Sequence, residues 1–352
     1  MSHMLVPGID RIAATKVKTI WHQLETLAAG TLVAIDENLD PETAALQQSA
    51  IVFPQDADND FARTAKLTTE DGTPIETHMA LLSPSGRVLS IVGVGHYPVP
   101  FKFIFSNWYL ELARHGGKPS SLGTCDEGRF MFGSLEAAEP WYVPGDKSVT
   151  RAFFNIMASH GDGSIKGSFC TFREVCFNTM TMFGEEHDRI KDARERIAKA
   201  AVTIHHTANA QERISDAVAW IVDGRARAES EKNFLNRLAT KVVSTPEVDK
   251  FVAKYISTDD VSPRAQAIRG NQREAFRQIM SDTDDLGEHA LSAKGITAYG
   301  LMQAVTHFED YVARVVGTEE CPVNVRRAFR AFTGERDVEK VTARDYIAEL
   351  VK

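Results

Sequence analysis

The chain has 352 residues, of which 43% are hydrophobic and 25% charged, with a formal net charge of −8. That length suits two or three domains, and that composition belongs to a folded globular protein rather than a disordered or fibrous one. The acidity excludes a histone-like coat for nucleic acid, but not a local basic groove, because counter-ion release depends on clusters rather than on net charge.

The acidity is also uneven. Residues 1–150 carry 11 basic and 18 acidic side chains, and residues 151–352 carry 29 and 30. No apolar run is long enough to cross a bilayer, and no secretory segment is present. Four cysteines are no disulfide framework, so the chain reads as cytoplasmic, with Cys170 and Cys176 as core thiols.

Along the chain, residues 5–75 form a variable N-terminal segment. Thr15 to Ala28 has helical spacing at Val17, Ile20, Trp21, Leu24 and Leu27. Val33 to Ile35 and Ile51 to Phe53 read as short strands, and Gln55 to Asp60 as a loop. Residues 76–204 read as an α+β core. Ala80 to Leu82 and Arg87 to Val94 are strands around a Pro84-Ser85-Gly86 turn. Phe101 to Arg114 is an aromatic helix stopped by Gly116-Gly117. Ser121 to Cys125 and Arg129 to Leu135 form a hairpin over Asp126-Glu127-Gly128. Thr150 to Ala158 and Ile165 to Cys176 are strands joined at Ser159 to Gly163, and Glu185 to Ile204 is a helix. Together these predict a curved antiparallel sheet with helices on one face. Residues 205–352 read as mainly helical, with a hinge at Ser257 to Pro263. Leu301, Val305, Phe308, Val312 and Val315 make a heptad-like seam for bundle packing.

The chemistry-bearing motifs are few. Ser159-His160-Gly161-Asp162-Gly163-Ser164 places a histidine beside a carboxylate, as a base and its orienter would be, but two glycines and an aspartate also suffice for a tight turn. Gly93-Val94-Gly95-His96-Tyr97-Pro98 lacks the third glycine of a dinucleotide loop, and Pro98 stops the helix that such a loop needs. His205-His206 would diverge by about 100° on a helix, which suits chelation poorly. No motif calls for a metal, a cofactor or a catalytic nucleophile.

Basic residues cluster more suggestively. Arg264, Arg269, Arg273 and Arg277 fall near one helix face. Arg129, Arg151 and Lys166 lie among Phe130, Phe132, Phe153 and Phe154, and Arg173 has the fork that fits phosphate oxygens. Cations interleaved with aromatics suit single-stranded nucleic acid, where phosphates meet charge and bases stack on rings. Solvated charge over an aromatic core is the simpler alternative for any one cluster.

Several of these stretches resemble the phage/plasmid-like protein family, whose shared domain is of unknown function. Val92 to Val99 is similar to its strand ending in Tyr-x-Pro-Val. The Ser159 to Ser164 turn is similar to its Ser-His-Asp-Gly-Ser turn, with an extra glycine between His160 and Asp162. Arg173-Glu174-Val175-Cys176-Phe177-Asn178-Thr179 resembles Arg-Val-Val-Cys-x-Asn-Thr. Thr297 to Thr306 resembles a C-terminal Thr-Ala-Trp…Asn-Ala-Val-Thr segment, and the Asp-His that follows it there is Asp310-Tyr311 here. The resemblance implies a phage or prophage origin and a place in the host cytoplasm, and makes His160, Asp162 and Asn178 the family-motif positions. The helix, hairpin, sheet and long helix also resemble, at the level of fold, the core of Redβ/RecT-type annealing proteins.

The expected function is therefore binding and annealing of single-stranded DNA by a homo-oligomer, with other phage or host recombination proteins as further partners. The alternatives are a phage interaction factor, such as a host-defence inhibitor or assembly protein, and an enzyme, such as a nuclease or hydrolase, using His160 and Asp162. The interaction factor would use the C-terminal helices and fail when Val305 and Phe308 are made polar.

Overall fold

A computed structural model describes residues 12–15, 32–53 (not 37), 63–125 (not 84), 128–160 (not 147), 164–173, 178–181, 202–218, 224–281 (not 260), 296–313, 315, 323 and 337–350. The protein is α+β, and its C-terminal region is largely helical. Two units share the chain discontinuously. Residues 1–138, 153–169 and 201–225 form the first, and residues 139–152, 170–200 and 226–352 the second.

The first unit holds β1 (Ile12–Thr15), β2 (Leu32–Ile35), α1 (Pro41–Val52), β3 (Arg63–Thr68), β4 (Pro74–Leu82) and β5 (Val88–Gly93). Then come α2 (Phe101–Ile104), a π turn (Phe105–Tyr109) and α3 (Leu110–Arg114), followed by β6 (Lys118–Cys125) and β7 (Phe130–Glu136). After β8 (Trp141–Tyr142), the strands β9 (Val149–Ser159) and β10 (Ile165–Arg173) each serve both units; β11 is Asn178–Thr181. β12 (Val202–Ile204) and α4 (Ala210–Asp216) complete the first unit.

Its main sheet runs β10–β9–β7–β6–β1–β2, with β12 also paired to β10. The β1–β6, β6–β7, β7–β9 and β10–β12 pairs are antiparallel, but β1 and β2 are parallel. The sheet is thus mixed at that edge. Residues 16–31 between the two strands are long enough for a crossover, where a tight turn would have forced an antiparallel pair. The residues expected to form a helix at 16–28 and a loop at 55–60 lie outside the described positions.

Two local expectations are corrected. Ile51 and Val52 end α1 instead of forming a strand. Asp40 caps that helix by accepting from Thr43 N at 3.0 Å, and Pro41 is pre-set for its first turn; these signals outweigh three β-prone residues. Val202 to Ile204 is strand rather than the end of a helix, because its register pairs it with Ile165 to Gly167. Residues 185–201 lie outside the described positions.

The core of this unit forms where the aromatic helix lies on the sheet. Phe101, Ile104, Phe105, Trp108 and Tyr109 pack with Leu122, Leu135, Phe154 and Ile156. Close approach requires glycine at two sheet positions. A Cβ on Gly133 would stand 3.0 Å from the Tyr109 ring, and one on Gly167 2.8 Å from Phe154 Cζ and 3.2 Å from Trp108 Cζ3. The π turn carries Trp108 and Tyr109 into this layer. Trp108 Nε1 donates to Ile214 O at 2.8 Å, which fastens α4 to the helix. Tyr109 donates its hydroxyl proton to buried Gln48 Oε1 at 2.5 Å, and Gln48 Nε2 donates to Ala13 O at 3.3 Å. Burial holds the Tyr109 phenol well above its usual range. A separate antiparallel sheet, β3–β4–β5, packs Met79, Leu81, Leu89 and Val92 together.

The second unit contains the β8 pairing with Val149 and Thr150, and the β11 pairing with Cys170 to Arg173. Its helices are α5 (Gly224–Thr240), α6 (Thr245–Tyr255), α7 (Pro263–Ser281), α8 (Ala298–His307), a second π turn (Phe308–Val312) and α9 (Asp337–Glu349). Every residue from Ala298 to Thr306 is buried, so α8 is a central helix, not an amphipathic one. Val305 and Phe308 are core residues, packed inside the unit and not presented on a surface.

Candidate functional site

Three segments distant in sequence meet at one corner of the first unit: the loop after β5, the end of β9, and the residues after β12. The tight pair of residues after β5 ends it at Gly93, and His96 N donates to Gly93 O at 2.9 Å. Tyr97 N then donates to His206 O at 3.0 Å. His205 and His206 follow a strand rather than lying on a helix, so His205 is exposed while His206 is buried.

His206 fixes the corner with both ring nitrogens. Its Nε2 lies 2.6 Å from Ser159 O, a carbonyl that can only accept, so Nε2 carries the proton. Its Nδ1 then accepts from Val99 N at 3.4 Å. His96 packs against it, with ring centroids 4.7 Å apart. Burial lowers the pKa of both imidazoles, that of His96 to about 4, and the neighbouring His206 adds to the lowering at His96.

This arrangement predicts acid sensitivity. The folded protein favours neutral His96, whereas the unfolded chain takes up a proton near pH 6.5. The stabilisation is complete above pH 6.5 and is lost as pH falls toward 4. With the discount that a half-exposed ring requires, the loss is about 1–2 kcal/mol. Denaturant midpoints measured from pH 7.5 to 4.5 should fall over that window, and more shallowly in His96→Gln.

His160 belongs to the same corner. It is 1% exposed, its ring stacks on Phe101 at 3.8 Å and 16°, and its backbone N–H donates to Arg129 O at 2.8 Å. A general base must reach its substrate, whereas this ring is packed. Asp162 lies outside the described residues, and Asn178 is described only through its pairing with Arg173 at the β10–β11 hairpin. Of the family-motif turn, Ser159 and His160 are therefore placed in a packed corner that links the end of β9 to the β5 loop and the residues after β12.

The basic residues are distributed among different settings. Arg129 is half-buried, with its guanidinium 5.3 Å from the Phe130 ring centroid. Arg151 is half-buried in the part of β9 that serves the second unit. Phe132, Phe153 and Phe154, expected among candidate stacking rings, are core residues. Three of the four α7 arginines are engaged with α6 and the loop after it. Arg273 donates to Ile256 O at 2.8 Å and to Ala253 O at 3.1 Å, Arg269 donates to Ser257 O, and Arg277 meets Asp249 at 3.3 Å. Cations there satisfy the terminal carbonyls and the negative end of α6. The same bonds tie the Ser257 to Pro263 connection where a hinge was expected. Arg264 is exposed at the start of α7.

Lys166 is exposed on β10, directly opposite Thr203 of β12. Arg213, which the sequence reading did not single out, reaches the same place from α4: its Nη2 donates to Thr203 O at 3.4 Å. Among the described residues, neither side chain is ion-paired with a carboxylate. The signal that could have found Arg213 is tertiary, because only the β10–β12 pairing brings residues 166, 203 and 213 together. Among the described residues, no group of three or more histidine, cysteine, aspartate or glutamate side chains could hold a metal, and no helix is long and apolar enough to cross a membrane.

A family model described as a domain of unknown function, DUF932, matches residues 88–343. The match spans well over half of the chain, which therefore belongs to that family. No curated protein and no solved structure matches it.

Proposed function

We propose that this DUF932 protein is a phage-type recombination protein that binds single-stranded DNA and anneals complementary strands. It would act as a homo-oligomer in the host cytoplasm, without cofactor or catalytic residue. The observation that carries the reading is the pair Lys166 and Arg213. Both are exposed, both lie beside Thr203, and neither is ion-paired with an acidic side chain among the described residues. Two exposed cations beside one strand pair can hold successive phosphates while leaving base edges free to find a complement.

Fluorescence anisotropy with a labelled single-stranded oligonucleotide, across a salt series, tests this. Affinity should fall steeply with salt, and reversing both charges (Lys166→Glu with Arg213→Glu) should weaken binding about tenfold or more and flatten the salt slope. Binding unchanged by that double reversal would overturn the assignment of this surface. No binding at low salt would favour the alternative, a phage interaction factor such as a host-defence inhibitor or assembly protein.

A further inference from the structure

Tyr97 is an exposed aromatic residue on a backbone that is fixed on both sides. Its side chain is 48% exposed and, among the described residues, has no hydrogen-bond or ring partner. An exposed tyrosine alone calls for no explanation. Here, however, the main chain around it is tethered to one buried histidine. Tyr97 N donates to His206 O at 3.0 Å. Pro98 follows and restricts Tyr97 to extended conformations. Val99, fully buried, donates to His206 Nδ1 at 3.4 Å, and His96 on the other side packs its ring against His206. Little freedom is left to the phenol ring beyond its own two side-chain torsions, so ordering it against a ligand costs little entropy.

The same histidine sets Tyr97 at one end of the Lys166 and Arg213 surface. Burial alternates from β12 onward: Ile204 and His206 are buried, whereas Thr203 is half-buried and His205 exposed. Thr203 lies opposite Lys166, and its carbonyl accepts from Arg213. Three residues separate Thr203 from His206, a span of at most about 10 Å. Three nucleotides of one B-form strand rise by about the same distance. The charge at one end and the ring at the other fit one class of ligand. A nucleic-acid strand has phosphates for the cations and, on every base, a π face for the ring. An apolar peptide would leave both cations without a partner.

We infer that Tyr97 is a base-stacking residue, the aromatic element of the surface on which Lys166 and Arg213 hold the phosphates of a single strand. This rests on the single-strand reading of that surface and extends it from charge alone to charge with stacking. Stacking engages the face of a base and leaves its edge free to pair, so the added contact is compatible with annealing.

Two labelled probes of equal length separate stacking from charge: an oligothymidylate, and a strand of abasic residues with the same phosphates and no bases. In anisotropy titrations of the full chain, the wild type should bind the oligothymidylate about fivefold or more tightly than the abasic strand. Tyr97→Ala should abolish that preference. Its affinity for the oligothymidylate should fall about fivefold or more with an unchanged salt slope, because no phosphate contact is removed, and its affinity for the abasic strand should not change. Tyr97→Phe should keep the preference, whereas Tyr97→Leu, apolar but without a π face, should lose most of it. That contrast decides the matter even if alanine lowers the melting temperature. If Tyr97→Leu binds the oligothymidylate as the wild type does, or the wild type binds both probes alike, the stacking role is overturned and the cation surface stands. A wild type that binds neither probe at low salt overturns the single-strand reading, and the stacking role with it.

Discussion

Replacing Lys340 with methionine should destabilise the second unit by about 3–5 kcal/mol, read as a lowered denaturant midpoint. Lys340 Nζ meets Asp310 Oδ1 at 2.6 Å, and both side chains are only 4% exposed. The neighbouring Glu309 is also buried and accepts from the Tyr255 hydroxyl. Removing the ammonium leaves a carboxylate in the interior with its charge uncompensated and another acid beside it. Removing both partners should be far milder. Lys340→Met with Asp310→Leu should recover most of the loss, because an apolar pair of similar volume carries no desolvation penalty. A single substitution costing under about 1 kcal/mol would mean that the pair is hydrated and contributes no more than a surface bridge.

The second large effect is expected at Trp108. Trp108→Ala should cost about 3–5 kcal/mol, the range for emptying a large aromatic site. The indole is fully buried, lies over Gly167, and donates to Ile214 O. Its loss opens a cavity between helix and sheet and also releases α4. Trp108→Phe separates the two contributions: it keeps most of the packing and loses the hydrogen bond. Amide exchange should therefore quicken at residues 210–216 in both variants, while global stability falls much further in the alanine one. Protection of α4 unchanged in Trp108→Phe would show that the indole bond does not hold it.

Much of the architecture was legible because local signals agreed with one another. Ser85-Gly86 lies in the turn between β4 and β5, where Gly86 has φ +87°, and Gly116 ends the aromatic helix at φ +87°. The failures have physical causes. Ile51 and Val52 are β-prone, but they lie downstream of a cap and proline that had already started α1. In α8 the seam residues Leu301 and Val305 are buried, but so are Met302, Gln303, Ala304 and Thr306 between and after them, so burial runs around the helix and not along one stripe. At the candidate site, the motif segments 93–99 and 159–164 were recognisable separately. Their meeting through His206, and the placing of Lys166 and Arg213 beside Thr203, are set by strand register and tertiary packing that no short spacing encodes.

The interleaving of the two units has a consequence for how the chain folds as it is synthesised. The first unit cannot complete its sheet until residues 153–169 and 201–225 have left the ribosome, although residues 1–138 emerge long before. The second unit waits longer still, because its central helix α8 lies near the C-terminal end of the chain, while its earliest piece is residues 139–152. Closing such long loops before their contacts form slows folding and leaves apolar strands exposed in the interval. Neither unit corresponds to one continuous fragment. Truncation at any single boundary should therefore yield a chain that depends on chaperones or aggregates, rather than a smaller stable protein.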